Sequence, residues 1–541
     1  MRPGQSPDAS RFDAAVLDRL ADRREAALVP ELIEIAFDGG EETRRGALRA
    51  LGDCIAAASP DELLELDELC RRNWWYERDM GWRTVRPGDV IALADKSADP
   101  ARTLGVLSFH PDGRVRERAV RQLAEATAGA ELSFLLIRLN DWVGVVATAA
   151  ERAVARRITP AYADAFVDNL PILLRLGARR RRPHDALIAA AIDLLLGADS
   201  SSALERGLGS SDRRVRRTLF RACLETSDLD RAALIERALS DEDSVIRVAA
   251  ARRARQDLSP ADLERLAPRL LRDPYPAVRS EGLAAAVEGG APNADSLLFA
   301  ALTDRSRTVR ETARFCLRRH RNIEDFASIY RVRIAELRNG GNRVRGLAAA
   351  LLGLGESGRS ADASVLVPFL ADPRPTVRAA AARAVAMLDI ESTLPRLVGM
   401  LSDASPVVTR QVRRAIEPRI GSVSLDDLRH QIAKSPHVSG RLDGLLLGRR
   451  LRKWDAIVLL LENVRDRYPE VSDAAVAGVR RWIVNRNASF EQPTREQLRA
   501  LRSVLELRGP ALDQWILNEL DAIVCYWETS LPTVAETSRP R

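Results

Sequence analysis

One turn-and-helix pattern recurs down this chain, and it limits the fold more than any other feature. The segments LSDEDSVIRVAAARRA, LRDPYPAVRSEGLAAA, LTDRSRTVRETARFCL, LRNGGNRVRGLAAALL and LADPRPTVRAAAARAV share one layout. Leucine is followed two residues on by Asp or Asn, then five and six residues later by an aliphatic residue and an arginine. The anchoring arginines are Arg216, Arg247, Arg279, Arg310, Arg345 and Arg378, spaced 31, 32, 31, 35 and 33 residues apart. A unit this short cannot bury both of its faces alone, so the units have to stack. Weaker copies anchor on Arg44 and Arg116, while Ala147 and Thr409 hold the arginine position in two others. The 69 residues between Ala147 and Arg216 leave room for one degenerate unit at about residues 165–197.

The spacing inside a unit predicts its structure. The residue before the anchor is aliphatic in nine of ten copies, with Thr43 the exception. Three residues after the anchor stands a mostly small side chain, such as Ala119, Ala250 or Gly282, and seven after it an apolar one, such as Leu123, Cys223 or Val385. Positions four apart share one face of a helix, so this face is the buried one. Pro274, Pro276, Pro373, Pro375 and Pro406 stand just before the aliphatic–Arg pair, where a proline opens a helix without cost. Each unit therefore reads as a first helix, a short turn holding the Asp, and a second helix.

The Leu-x-Asp-x-x-x-x-Val-Arg turn with its Ala-rich helix resembles HEAT repeats, in particular the short variety named after phycobilisome lyases, over residues 30 to 420. The resemblance implies an all-α fold: a right-handed α-solenoid, or superhelix, of stacked helical hairpins, HEAT-like and armadillo-type, with second helices on the concave side. It also implies that the motif's Asp and Arg, such as Asp273 with Arg279 or Asp372 with Arg378, pair between successive units. Function does not follow, because this fold hosts scaffolds, transport receptors, lyases and glycosylases.

The organisation expected is a disordered start at 1–10, a degenerate helical unit at 11–70, and a Trp/Arg-rich insertion at 71–100. The repeat solenoid follows at 101–420, a helical capping region at 421–528, and a disordered tail at 529–541. Beyond residue 420 the anchor pattern is not visible, although WDAIVLLLENVRDRY and DAAVAGVRRWIV still read as amphipathic helices. The five cysteines are scattered and show no metal or redox spacing, which suits a reducing compartment, and the cytoplasm is expected. No apolar run approaches the ~20 residues of a membrane helix, so no membrane insertion is expected. The five histidines form no metal-binding spacing, and no P-loop or G-x-S-x-G element occurs, so neither cofactor nor catalytic residue is assigned. Gly353, Gly355 and Gly358 fit G-x-G-x-x-G but follow an Ala/Leu-rich helix, and they read as helix C-terminal glycines.

The main candidate site is a stripe of arginine five residues after each anchor: Arg49, Arg121, Arg152, Arg221, Arg252, Arg383 and Arg414, with Ala284, Phe315 and Ala350 filling the three other copies. Composition alone would put about 1.5 arginines in ten such positions. Only three of the 83 basic residues are lysine, so an exposed helix position in this chain collects arginine readily. The stripe position lies about 200° from the middle of the buried face and points to solvent. On a concave side it would line a groove in steps of about 10 Å and attract an acidic protein segment or a nucleic-acid backbone. A second candidate is the aromatic cluster Trp74, Trp75 and Trp82 among arginines, and a third the run Arg179 to Arg182. The function expected is a protein-binding scaffold that takes an acidic segment along the groove. The alternative is a nucleic-acid binder, extending to HEAT-like alkylpurine glycosylases, although their motif has no positional match here. A phycobilin lyase is a further alternative suggested by repeat type.

Overall fold

The computed structural model describes residues 29–38, 40–72, 85–178, 183–226, 230–339, 344–508 and 512–530, all in helices and the turns between them. It divides into two compact units, Met1–Asp257 and Leu258–Arg541. In the first unit the helices are α1 (Val29–Asp38), α2 (Glu41–Ala57), α3 (Pro60–Arg72), α4 (Asp89–Asp95), α5 (Pro100–Leu107), α6 (Gly113–Leu123) and α7 (Leu132–Arg138). They continue with α8 (Gly144–Ala155), α9 (Ala163–Ala178), α10 (Asp185–Leu196), α11 (Ser201–Leu208), α12 (Arg213–Glu225), α13 (Arg231–Ala238) and α14 (Ser244–Asp257). Hairpins α5–α6, α7–α8, α11–α12 and α13–α14 carry the motif, and α9–α10 is the degenerate unit.

The second unit begins with α15 (Pro260–Leu271), α16 (Pro276–Glu288), α17 (Ala294–Ala301), α18 (Arg307–Arg321), α19 (Phe326–Asn339), α20 (Val344–Ser357) and α21 (Ala363–Leu366). It ends with α22 (Pro375–Gly399), α23 (Pro406–Ile416), α24 (Leu425–Lys434), α25 (Val438–Gly448), α26 (Lys453–Glu462), α27 (Pro469–Val484), α28 (Arg495–Arg508) and α29 (Gln514–Ser530). Helix α22 bends at Asp389 (φ −155°, ψ 79°), so its two halves belong to successive hairpins.

The anticipated face is the core. Val115, Ala119 and Leu123, then Val215, Leu219 and Cys223, then Val377, Ala381 and Val385 are all buried. Each such aliphatic side chain contributes about 1.5–3 kcal/mol on leaving water.

The turn chemistry explains the Asp and the Arg together. Asp304 Oδ1 accepts the Ser306 amide at 2.7 Å, and Asp403 Oδ1 accepts the Ser405 amide at 2.8 Å. Each carboxylate so folds the turn that opens its second helix. The same carboxylate takes two hydrogen bonds from the arginine 25 residues earlier. The pairs are Arg116–Asp141 and Arg216–Asp241 in the first unit, and Arg279–Asp304, Arg378–Asp403 and Arg441–Asp466 in the second. The third guanidinium nitrogen holds the arginine's own turn. Arg279 Nη1 donates to the Asp273 carbonyl at 2.9 Å, and Arg378 Nη1 to the Asp372 carbonyl at 2.8 Å. This corrects the expected pairing. Arg279 takes only the backbone of Asp273 and reserves its charge for Asp304 of the next hairpin, so each of these five arginines ties two turns together.

Three further departures follow from packing. Arg345 is exposed and is no anchor. In α20 Leu347, Leu351 and Leu354 are buried in place of Val344, Ala348 and Leu352, a register slipped from that of the other second helices. Glu356 of α20 instead supplies the carboxylate for Arg310, and it also accepts from Arg314 Nη1 at 3.0 Å. Second, Gly353 and Gly355 lie within α20, where a Cβ would collide with the Tyr330 ring and the Ala384 backbone. They are packing glycines, and only Gly358 follows the helix. Third, the repeat continues past residue 420. In α25 the three core positions are Gly440, Gly444 and Gly448, and Cβ atoms there would strike the Leu401 carbonyl, Ile432 and Leu459. In α27 they are Val471, Ala475 and Val479, all buried, with Ser472 in the arginine position. The expected disordered residues 1–10 and 531–541 lie outside the described residues, while α29 runs through Ser530.

Candidate partner-binding face

The second helices of the hairpins carry the stripe. In the first unit Arg49 (α2), Arg121 (α6), Arg152 (α8), Arg221 (α12) and Arg252 (α14) are exposed. In the second unit Arg414 (α23) is exposed and Arg383 (α22) half-buried. At the interrupted copies Phe315 stands 59% exposed, while Ala350 is buried by the slipped register of α20. Trp74, Trp75, Trp82 and Arg179 to Arg182 lie outside the described residues.

What separates Arg49, Arg152, Arg221, Arg383 and Arg414 from many other arginines is the lack of a counter-charge among the described residues. The anchors Arg116, Arg216, Arg279 and Arg310 are buried and held by carboxylates, Arg116 by Asp141 at 2.8 Å with both side chains fully buried. Surface arginines elsewhere are often paired: Arg206 with Asp164 and Asp168, Arg231 with Asp257, Arg429 with Glu462. The hydrogen bond that Arg206 donates to Asp168 chiefly, and that to the Asp164 carboxylate, push its guanidinium above the ordinary value. Among the described residues Arg49, Arg152, Arg221, Arg383 and Arg414 make no ion pair, and Arg121 reaches only Glu117 one turn back on its own helix. A row of guanidinia left to water is available to an anionic partner at little desolvation cost.

Residues that sequence reasoning passed over extend this face in the second unit. Arg410 on α23, Arg449 at the end of α25 and Arg481 on α27 are exposed or half-buried and make no ion pair among the described residues. The signal was the run Arg449, Arg450, Leu451, Arg452, Lys453, four bases in five residues.

The grooves lie elsewhere. Helix α3 packs on α9, and its Asp61 bridges Arg175 (2.9 Å) and Arg214 (3.2 Å), while Asp67 pairs with buried Arg138. Two clefts of about 490 Å³ each flank the start of α3, one beside Tyr162 and Phe134 and the other beside Arg206 and Asp212. In the second unit a cleft of about 680 Å³ between α17 and α19 is lined by Phe299, Ile329 and Val332. Glu131, beside the first cleft, is buried and bound by Arg157 (2.9 Å) and the Tyr162 hydroxyl (2.7 Å). Arg157 also caps the carbonyls of Leu123 and Ala124, so this cluster closes a helix end.

Stacked hairpins joined by an Arg–Asp ladder define an α-solenoid of HEAT-type repeats. Residues 331–437 match the family model described as HEAT repeats. No curated protein matches the chain. Among solved structures, the Kap121p crystal structure is similar at 13% identity over 98% of this chain and 53% of that one, with a TM-score of 0.28. The karyopherin Kap121p bound to the extreme C-terminus of the phosphatase Cdc14p is 14% identical over 92% and 65%, with a TM-score of 0.29. A Kap95p structure with RanGDP is 12% identical over 93% and 67%, with a TM-score of 0.26. The chain spans about half the length of the Kap121p structures it matches first. These likenesses concern fold class alone.

Proposed function

We propose that this chain is a protein-interaction scaffold, working in the cytoplasm, that holds an acidic segment of a protein partner along its second-helix face. The observation that supports it most is the division of labour among arginines. Arg116, Arg216, Arg279 and Arg310 at the anchor position are buried and paired with carboxylates, while Arg49, Arg152 and Arg221, each five residues past the anchor position of its own repeat, are exposed and have no carboxylate partner among the described residues. Exposed pairs stabilise a fold little, so stability gives no reason to keep this face cationic and unpaired.

The test is purification of the native chain and of an Arg49→Ala/Arg152→Ala/Arg221→Ala variant from the host, each with and without nuclease. The reading expects a stoichiometric protein that survives nuclease, elutes with salt, and is lost from a variant of unchanged helix content. Partners that vanish with nuclease, together with bound nucleic acid, would replace this reading with nucleic-acid binding.

A further inference from the structure

In the second unit, helices α25 and α27 pack side by side, and their C-terminal ends meet. The contact is fixed by Trp482, whose indole N–H donates to the Lys453 carbonyl at 2.9 Å, tying the turn after α25 to the last turn of α27. Lys453 Nζ in turn donates to the Arg486 carbonyl at 2.6 Å and lies 5.2 Å from the Trp454 ring centre. This rigid corner carries Arg449, Arg450, Arg452 and Arg481. Arg450 is held by Glu417 at 3.0 Å, whereas Arg449, Arg452 and Arg481 have no carboxylate among the described residues. Burial first, and then the charges of Arg481 and Arg450, pull the Arg449 guanidinium below its ordinary value. By contrast, Arg216, Arg378, Arg429 and Arg502 are pushed up by the carboxylates that hold them. Helix C-termini favour cations, yet that field does not call for a half-buried arginine beside two like charges.

The neighbouring side chains narrow the ligand. Leu446 stands three residues before Arg449 and is 36% exposed, and Val484 three residues after Arg481 is 73% exposed. Residues three apart share a helix face, so each helix presents an arginine beside an aliphatic side chain. Neither helix offers an exposed aromatic ring on which a base would stack.

We propose that the joined ends of α25 and α27 are a seat for a carboxylate-rich protein segment with interspersed aliphatic residues, its carboxylates taken by Arg449 and Arg481. The seat rests on the reading of the second-helix face as the partner-binding surface. It makes the C-terminal end of that face the point of tightest hold, because a half-buried guanidinium binds a carboxylate with less competition from water.

The test uses the full chain and a fluorescently labelled oligoglutamate peptide, with binding read by anisotropy. Arg449→Ala/Arg481→Ala is expected to weaken binding by about tenfold or more, with circular dichroism and melting temperature retained. Arg449→Lys/Arg481→Lys should recover part of the loss, since the charge returns without the planar fork. Arg152→Ala/Arg221→Ala, in the first unit, should change it by less than about threefold. Undiminished binding by the first variant, with loss in the last, overturns the seat and leaves the face as the binding surface. No binding of peptide by the unaltered chain overturns both. A single-stranded oligonucleotide that displaces the peptide at lower concentration overturns the choice of a carboxylate ligand.

Discussion

Replacing Asp403 separates the two jobs that one motif carboxylate performs. Its Oδ2 and Oδ1 accept from Arg378 Nε and Nη2 at 2.8 Å each, and Oδ1 also accepts the Ser405 amide at 2.8 Å. The two side chains are 16% and 13% exposed, so the pair is nearly but not fully buried. Breaking a buried pair costs about 3–5 kcal/mol, and the residual exposure points to the lower end. Loss of the turn amide's partner adds about 1 kcal/mol. Asp403→Ala should therefore destabilise the second unit by about 4 kcal/mol. Asp403→Asn keeps an acceptor for Ser405 and removes the charge, so about half that loss is expected. The assay is urea unfolding followed by circular dichroism, with amide exchange resolved by segment. Repeats couple to their neighbours, so protection should fall in α22 and α23 and stay in α27.

Asp403 also gives an acid signature. Burial alone would raise its carboxyl, but the Arg378 hydrogen bonds, the Ser405 amide and the Arg378 charge outweigh burial and hold it below the usual carboxylate range. A lowered folded value means the contribution is present above the unfolded carboxylate's pKa of about 3.9 and disappears as pH falls through the folded value. The Asn variant should lack this part of the acid transition. Asp403→Ala within about 0.5 kcal/mol of the unaltered chain, or Asn as costly as Ala, would refute the shared-carboxylate account.

Other changes test the packing that departs from the repeat. Glu356→Gln leaves Arg310 and Arg314 without their carboxylate and should cost about 3 kcal/mol in urea unfolding, whereas Arg345→Ala should be neutral within about 0.5 kcal/mol. Gly440→Ala puts a methyl against the Leu401 carbonyl and should lower stability by about 1–3 kcal/mol; a neutral result would show that the backbone there yields freely. Cys525 is exposed and the four other cysteines are buried, with burial pushing the Cys223 thiol up to about 11, so a thiol reagent at neutral pH should label Cys525 first and Cys223 only on unfolding.

The sequence by itself determined the repeat, its period and its buried face, because these rest on side chains three to seven residues apart along one helix, a relation that any helix enforces. It also marked the stripe position as solvent-facing, for the same reason. Tertiary structure alone decided which groups meet across elements. Arg279 finds Asp304 and not the carboxylate of Asp273, because an arginine reaching forward can hold two turns at once. Asp61 bridges Arg175 and Arg214, far along the chain, through the packing of α3 on α9. Arg345 matches the motif in letters and fails it in space, since α20 buries Leu347, Leu351 and Leu354 and leaves Arg345 exposed. The repeat at α25, past residue 420, escaped notice for the opposite reason. There the aliphatic–small–aliphatic face became Gly440, Gly444 and Gly448, which carry no hydropathy signal yet let neighbouring chain approach within the radius of a missing side chain. Pattern records which residues share a face; only packing fixes what that face touches.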